Sequence, residues 1–371
     1  MAIRKTQFKY ILYLLLLLTS TASQLFWYKS YFHVIIVVLI LLFSFDNFKN
    51  NNLVSNYILI FFIPVFYFLV DSLSTTTVFG FFITYSIFLT CFLLLIETDE
   101  FRSGCLDYIT KGFAILLVIS ISFYILSFFI SLPSFVINER YDCYPFFVSV
   151  TDTFSSFNYE RYFFLFSEPG DLGVLCFFIL LLNNIKFTKY NIIILIAGLM
   201  SLSLFFYVAL IVLIAYKYIY VQKAVLPVIV LLMLIYYFTK DNEFMKSYLY
   251  NRLGIGEGIY ESGRVTESFQ NFYNNIVLQD KIFGVNNYFD FLEEGVCSYK
   301  VFVTQFGYFG ILIYFYFLIK VLSLKIQFKY IILFCLSTAM FLYDREYIIS
   351  FYFMMFIGLF SVNFKKNYNN A

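Results

Sequence analysis

Charge is scarce in this chain: Asp, Glu, Lys and Arg together make up 13% of its 371 residues. Histidine is nearly missing, with His33 the single copy. The six cysteines, at positions 91, 105, 143, 176, 297 and 335, form no CxxC pair and follow no metal-ligand spacing. No DxD sequence occurs either, so a catalytic metal has no obvious ligands and none is expected. No internal repeat is visible. What is present is apolar: 62% of the residues are hydrophobic, with 53 Phe and 34 Tyr. That is more apolar surface than one soluble core buries, and it points to a bilayer.

A hydrocarbon core of roughly 30 Å asks for about 20 apolar residues per helix, with about 17 tolerated. By that measure the chain reads as all-α, a polytopic integral membrane protein of about twelve transmembrane helices forming one domain over 1–371. The expected spans are 8–25, 31–46, 57–71, 78–96, 112–132, 169–185, 190–201, 203–220, 224–239, 301–320, 329–343 and 346–362. Two long outer-face segments remain, about 133–168 and 240–300.

Residues 190–220 are either one overlong helix or a hairpin turning near Ser201 and Ser203, and charge decides between them. With the hairpin, both termini are cytoplasmic and the short outer loops hold only Lys29 and Arg345. A single helix would move seven lysines outside, Lys217 to Lys366, against the positive-inside bias. The amino terminus, with Arg4, Lys5 and Lys9 before ILYLLLLL and TSTAS, copies a signal peptide but is kept as the first span. Only Cys143 and Cys297 fall in the outer segments, where a bridge is permitted but two unpaired small residues are the expectation.

The spans are nearly free of ionisable side chains, which tells against an ion-coupled transporter. His33, near Trp27 and Tyr28, reads as an interfacial residue. Outward charge gathers instead in two motifs. In RYFFLFSEPGDLG, Pro169 suits the first turn of a helix, which makes Glu168 a cap-position carboxylate and puts Asp171 in the first turn. Both anions meet the positive end of the helix dipole. Arg161 precedes an apolar run that holds its guanidinium near the headgroups, where lipid phosphate or Glu160 or Glu168 would also pair with it.

In the second segment, Val265, Phe269, Phe272, Tyr273 and Ile276 share one face of a helix starting near Arg264, with Glu267, Ser268, Asn271 and Asn275 on the other. Free N–H groups beside a guanidinium make an anion site; the plainer reading is an amphipathic helix lying on the membrane. YDRE, residues 343–346, reads as a local ion cluster from which Arg345 offers a further positive charge.

These stretches resemble the bacterial O-antigen polymerases, the Wzy-type family related to O-antigen ligases. The resemblance is carried by RYFFLFSEPGDLG, by SGRVTESFQNFYNN with KIFGVNN, and by QFGYFGILIY at 305–314. It implies a metal-independent glycosyltransferase at the outer face of the cytoplasmic membrane, joining polyprenyl-diphosphate-linked glycans. Expected partners are that glycan, membrane lipid, a chain-length regulator and a flippase, with no nucleic acid and no cofactor.

On this reading Arg161 and Arg264 take the leaving diphosphate, for which arginine's fork geometry is suited. Glu168 is the first candidate for general base, with Asp171, Glu267, Glu293 and Glu294 as alternatives. Asp171, Glu267 and Arg345 are expected to bind substrate. Ligases of the superfamily carry a histidine in the second outer segment, and 240–300 has none. A flippase, a ligase and a non-enzymatic assembly partner are the rival readings.

Overall fold

The computed structural model describes residues 2–20, 30–49, 78–130, 135–138, 141–144, 148–151, 161–162, 164–166, 169–219, 267–285, 299–324, 326–344 and 349–364. Among them are α1 (Ala2–Ser20), α2 (Ser30–Lys49), α3 (Val78–Ile96), α4 (Asp99–Ser127), α5 (Pro169–Leu182), α6 (Lys189–Met200) and α7 (Leu204–Ile219). The short helices α8 (Glu267–Asn275) and α9 (Leu278–Phe283) precede α10 (Tyr299–Ser323), α11 (Phe328–Asp344) and α12 (Phe351–Phe360). Ten of the expected spans fall on helices; those at 57–71 and 224–239 lie outside the described residues.

The described residues are thus overwhelmingly helical, with one addition to the all-α expectation. Strands β1 (Phe135–Asn138), β2 (Tyr141–Tyr144), β3 (Val148–Thr151) and β4 (Arg161–Tyr162) form an antiparallel sheet in chain order, built on FVIN, YDCY and VSVT. Their β-branched and aromatic content favours strand over helix.

Helix starts follow local chemistry. Thr98 caps α4 by accepting from the Phe101 N–H at 3.2 Å, and Asp99 and Glu100 sit in its first turn. Thr188 and Ser350 cap α6 and α12 in the same way. Between α6 and α7 the chain turns at Ser201 and Ser203 through Leu202, whose φ of 49° is left-handed.

Helices that are apolar all round belong in the interior. Every residue of α12 is buried, as is every residue of α5 except Asp171. They meet through aromatic rings: Phe178 stacks on Phe356 at 5.2 Å and meets Phe353 edge-on at 5.1 Å. Small residues let helices close up, with Gly104 and Gly112 of α4 against Tyr10 and Leu14 of α1, and Gly358 against Leu94 of α3.

The helices around them keep large apolar side chains exposed, among them Ile35 and Leu42 on α2, Ile115 and Val118 on α4, Leu312 and Tyr316 on α10, and Leu336 on α11. Among the described residues two helices, Asp99–Ser127 and Tyr299–Ser323, are long and apolar enough to cross a membrane, and seven shorter apolar helices accompany them.

Candidate functional site

The first motif leaves the sheet and enters the interior. Thr151 pairs with Arg161 and Val150 with Tyr162 across β3 and β4. Tyr162 is fully buried, its hydroxyl donating to Ser120 Oγ of α4 at 2.8 Å and its ring lying 5.1 Å from that of Tyr124. Phe164 then takes a φ of 58°, a conformation that costs a bulky residue roughly 1–2 kcal/mol. Its ring is wedged between Phe113 at 5.9 Å and Phe166 at 5.4 Å, and this packing holds it there. α5 starts at Pro169 as expected, with Asp171 in the first turn and half-buried.

The second motif builds a contact of another kind. The apolar face of α8 is as expected: Phe269 and Tyr273 are buried and Phe272 and Ile276 are half-buried, while Ser268 and Asn271 are exposed. That face packs on Val301 and Val303 of α10. The apolar face of the helix therefore rests on protein.

From α9 the chain meets a break in α10, where Gly307 leaves helical geometry at φ 69° and ψ 173°. Gly284, at φ 95°, lies so close that a side-chain carbon would come within 2.5 Å of the Gln305 carbonyl. A side chain on Gly307 would strike the Ile282 carbonyl in turn. Backbone lies against backbone, tied by the Val285 N–H donating to the Thr304 carbonyl at 2.7 Å. The glycines of KIFG and QFG are needed by one contact, for both space and φ.

Of the expected site residues, Asp171 sits at the start of α5, Arg161 lies on β4 and Glu267 opens α8. Glu168, Arg264, Arg345, Glu293, Glu294 and Cys297 lie outside the described residues, and Cys143 lies on β2. The polar groups brought together beside the second motif are others: Tyr273, Lys281, Lys300, Tyr299 and Tyr308. Burial and the neighbouring Tyr308 hydroxyl raise the pKa of Tyr273.

At the opposite end of the helices lies a cluster the sequence reading missed. Lys9 of α1 pairs with Glu97, which also accepts from Ser44 Oγ of α2 at 2.8 Å. Lys9 Nζ lies 4.2 Å from the centre of the Phe101 ring. Arg102 of α4 is fully buried, pairs with Asp99 and donates to Ser361 after α12. Its Nε has no hydrogen-bond partner among the described residues. Lys9 and Arg102 are thus buried, Lys9 paired with Glu97 and Arg102 with Asp99. Arg102 and Cys105 belong to α4, which begins at Asp99, ahead of the span expected from 112. The usable signal was the capping sequence TDEF.

His33 contacts the Thr19 carbonyl at 2.7 Å and packs on Phe351 at 5.2 Å between ring centres. No family model, curated protein or solved structure matches the chain.

Proposed function

We propose that the protein is an integral membrane polysaccharide polymerase that extends polyprenyl-diphosphate-linked glycans at the outer face of the cytoplasmic membrane. The observation that carries the proposal is the contact between Gly284 and Gly307. It explains, by space and backbone angle, two glycines of the motifs on which the resemblance to O-antigen polymerases rests. The apolar exterior of α2, α4, α10 and α11 supports the bilayer setting, since a lipid phase covers such faces and water does not.

In this reading the leaving diphosphate is held by Arg161 and Arg264, and Glu168, at the positive end of α5, takes the proton of the acceptor hydroxyl. The anomeric carbon of the growing glycan leaves its phosphate oxygen and bonds to that hydroxyl oxygen. Asp171, Glu267 and Arg345 line the substrate.

The test is purified protein given lipid-linked repeat units without added metal. Longer glycans are expected, and Arg161→Ala and Arg264→Ala should each abolish them with membrane abundance unchanged. Glu168→Gln should slow elongation at least tenfold, since general-base help is worth about 10² to 10⁴ in rate. Normal ladders from both arginine variants would overturn the assignment.

The buried charges Lys9, Glu97 and Arg102 favour a second reading, a lipid-linked glycan flippase, because transporters place such groups within their helices. They gather at one end of the bundle in two ion pairs, Lys9 with Glu97 and Arg102 with Asp99, as a structural clamp does. Deleting the gene separates the readings: loss of a polymerase leaves single repeat units on the surface, and loss of the flippase leaves none.

A further inference from the structure

Helix α9 wears its side chains the wrong way out for water. Over 277–283 the exposed ones are Val277 at 61%, Leu278 at 71%, Phe283 at 58% and Gln279, while Asp280 and Lys281 are half-buried. The Lys281 ammonium turns back over the Tyr273 ring of α8, 5.0 Å from its centre, and lies 3.5 Å from the Asn274 carbonyl. A helix facing water selects the reverse, with charge outside and leucine and phenylalanine inside.

The apolar side continues onto α10. The Phe283 ring lies 6.0 Å from that of Phe309, and Phe309, Leu312, Tyr316 and Ile319 follow at helical spacing along one exposed face. The same helix measures depth. Between Lys300 and Lys320 it carries no charged side chain, and that stretch is roughly 30 Å long at a rise of about 1.5 Å per residue, the thickness of a hydrocarbon core. Gly307 lies roughly 10 Å in from the end marked by Lys300. There the end of α9 is locked against α10, with Ile282 at Gly307 and Gly284 at Gln305. Irregular backbone at such a depth must bond within the protein. Here the Gly284 N–H donates to the Asp280 carbonyl and the Val285 N–H to the Thr304 carbonyl, each at 2.7 Å.

We infer that α9 is a re-entrant element: residues 277–284 dip into the outer leaflet beside α10, and phospholipid acyl chains cover Val277, Leu278, Phe283 and Phe309. The placement rests on the bilayer setting of the proposed function, with α10 as a span, and not on the polymerisation chemistry. KIFG of the second motif then lies within the leaflet rather than over it.

Trp27 is the single tryptophan of the chain, so Trp27→Phe gives a silent background for fluorescence. The full chain with this change receives one tryptophan, by Leu278→Trp or by Phe283→Trp, and is placed in nanodiscs of phosphatidylcholine brominated on its acyl chains. Two positions guard against a local effect of either change. Leu312→Trp on the exposed face of α10 and Glu100→Trp in the exposed first turn of α4 are the comparisons. Bromine should quench both α9 positions by at least half as much as Leu312→Trp, and both should resist iodide in the buffer. Bromine near the glycerol end of the chains should quench them more than bromine near the methyl ends, as suits a depth of about 10 Å or less. Glu100→Trp should respond to iodide and not to bromine.

Iodide quenching at 278 and 283 equal to that at 100 puts α9 in water and overturns the placement. Silence to both quenchers at those positions means that protein, a second copy or another segment, covers them, and overturns it equally. If bromine leaves Leu312→Trp bright, α10 is no span and the placement falls with the bilayer setting. Glycan elongation is not read, so loss of the ladder result for Arg161 and Arg264 leaves this one standing, and the reverse.

Discussion

Lys9 shows how a single side chain escapes a reading made from hydropathy. Alone in the sequence it is one of three positive charges before an apolar run, and counting such charges treats it as solvated. Its partner Glu97 lies 88 residues away, at a helix end whose own composition gives no hint of the pairing. Separation of that kind is invisible to any local window. The pair is buried, so breaking it is costly while replacing it whole is not: an unpaired buried charge costs about 3–5 kcal/mol, and an apolar pair of similar volume is close to neutral. Glu97→Leu should therefore lower the midpoint of heat-induced aggregation sharply, and adding Lys9→Met should restore most of the loss. Size-exclusion chromatography after heating reads both. Equal midpoints for Glu97→Leu and the parent would show that the pair carries no stability. The residues of the two motifs were legible to a lesser degree. Pro169 and Asp171 stand where helix-start chemistry put them, whereas Lys300 was passed over because it lies one residue outside an apolar run.

Elements were read best where pattern and packing agree. The span expected at 78–96 is α3 to the residue, and the turn expected near Ser201 and Ser203 is where α6 gives way to α7. The start of α4 was missed because its first turns are amphipathic: Phe101, Cys105 and Leu106 face inward while Asp107 and Lys111 pair outside. A hydropathy average dilutes such a face, and the capping signal at Thr98 survives the dilution. The sheet was missed for the opposite reason, since strands of four residues between aromatics read as part of a polar outer segment. The break in α10 gives the sharpest prediction at this scale. Gly307→Ala meets both a forbidden φ and the Ile282 carbonyl, so α9 must leave α10 or the break must close. Limited proteolysis should cut near 284 in the variant and spare the parent, and Gly310→Ala should behave as the parent. Identical cleavage patterns would remove the contact from the account of the motif.

For the molecule as a whole, contacts sort the helix ends into two sets. One holds Lys9, Ser44, Glu97, Arg102 and Ser361, with Asn183 against Thr110, Lys186 against Asn363 and the Tyr216 hydroxyl on the Lys329 carbonyl. The other holds Thr19 with His33 and Phe351, Ser120 with Tyr162, and Tyr299 with Tyr343. Each set joins positions that the proposed topology puts on one side of the bilayer. A periplasmic reporter fused after residue 255 and a cytoplasmic reporter fused after residue 325 should accordingly both be active. Inactivity of both, with the reporters exchanged and active, would invert the carboxy-terminal half. The burial of Lys9 acquires a further meaning once time is considered. On the proposed topology, Glu97 has not yet been synthesised when α1 enters the membrane, so Lys9 would at that moment be a bare cation that retains the first span's charged end inside. The same ammonium is withdrawn from that task when residue 97 arrives, and becomes mortar between helices. A chain cut at residue 60 should therefore insert α1 the same way round as the full protein, because on that topology orientation is settled by a charge that the finished fold conceals.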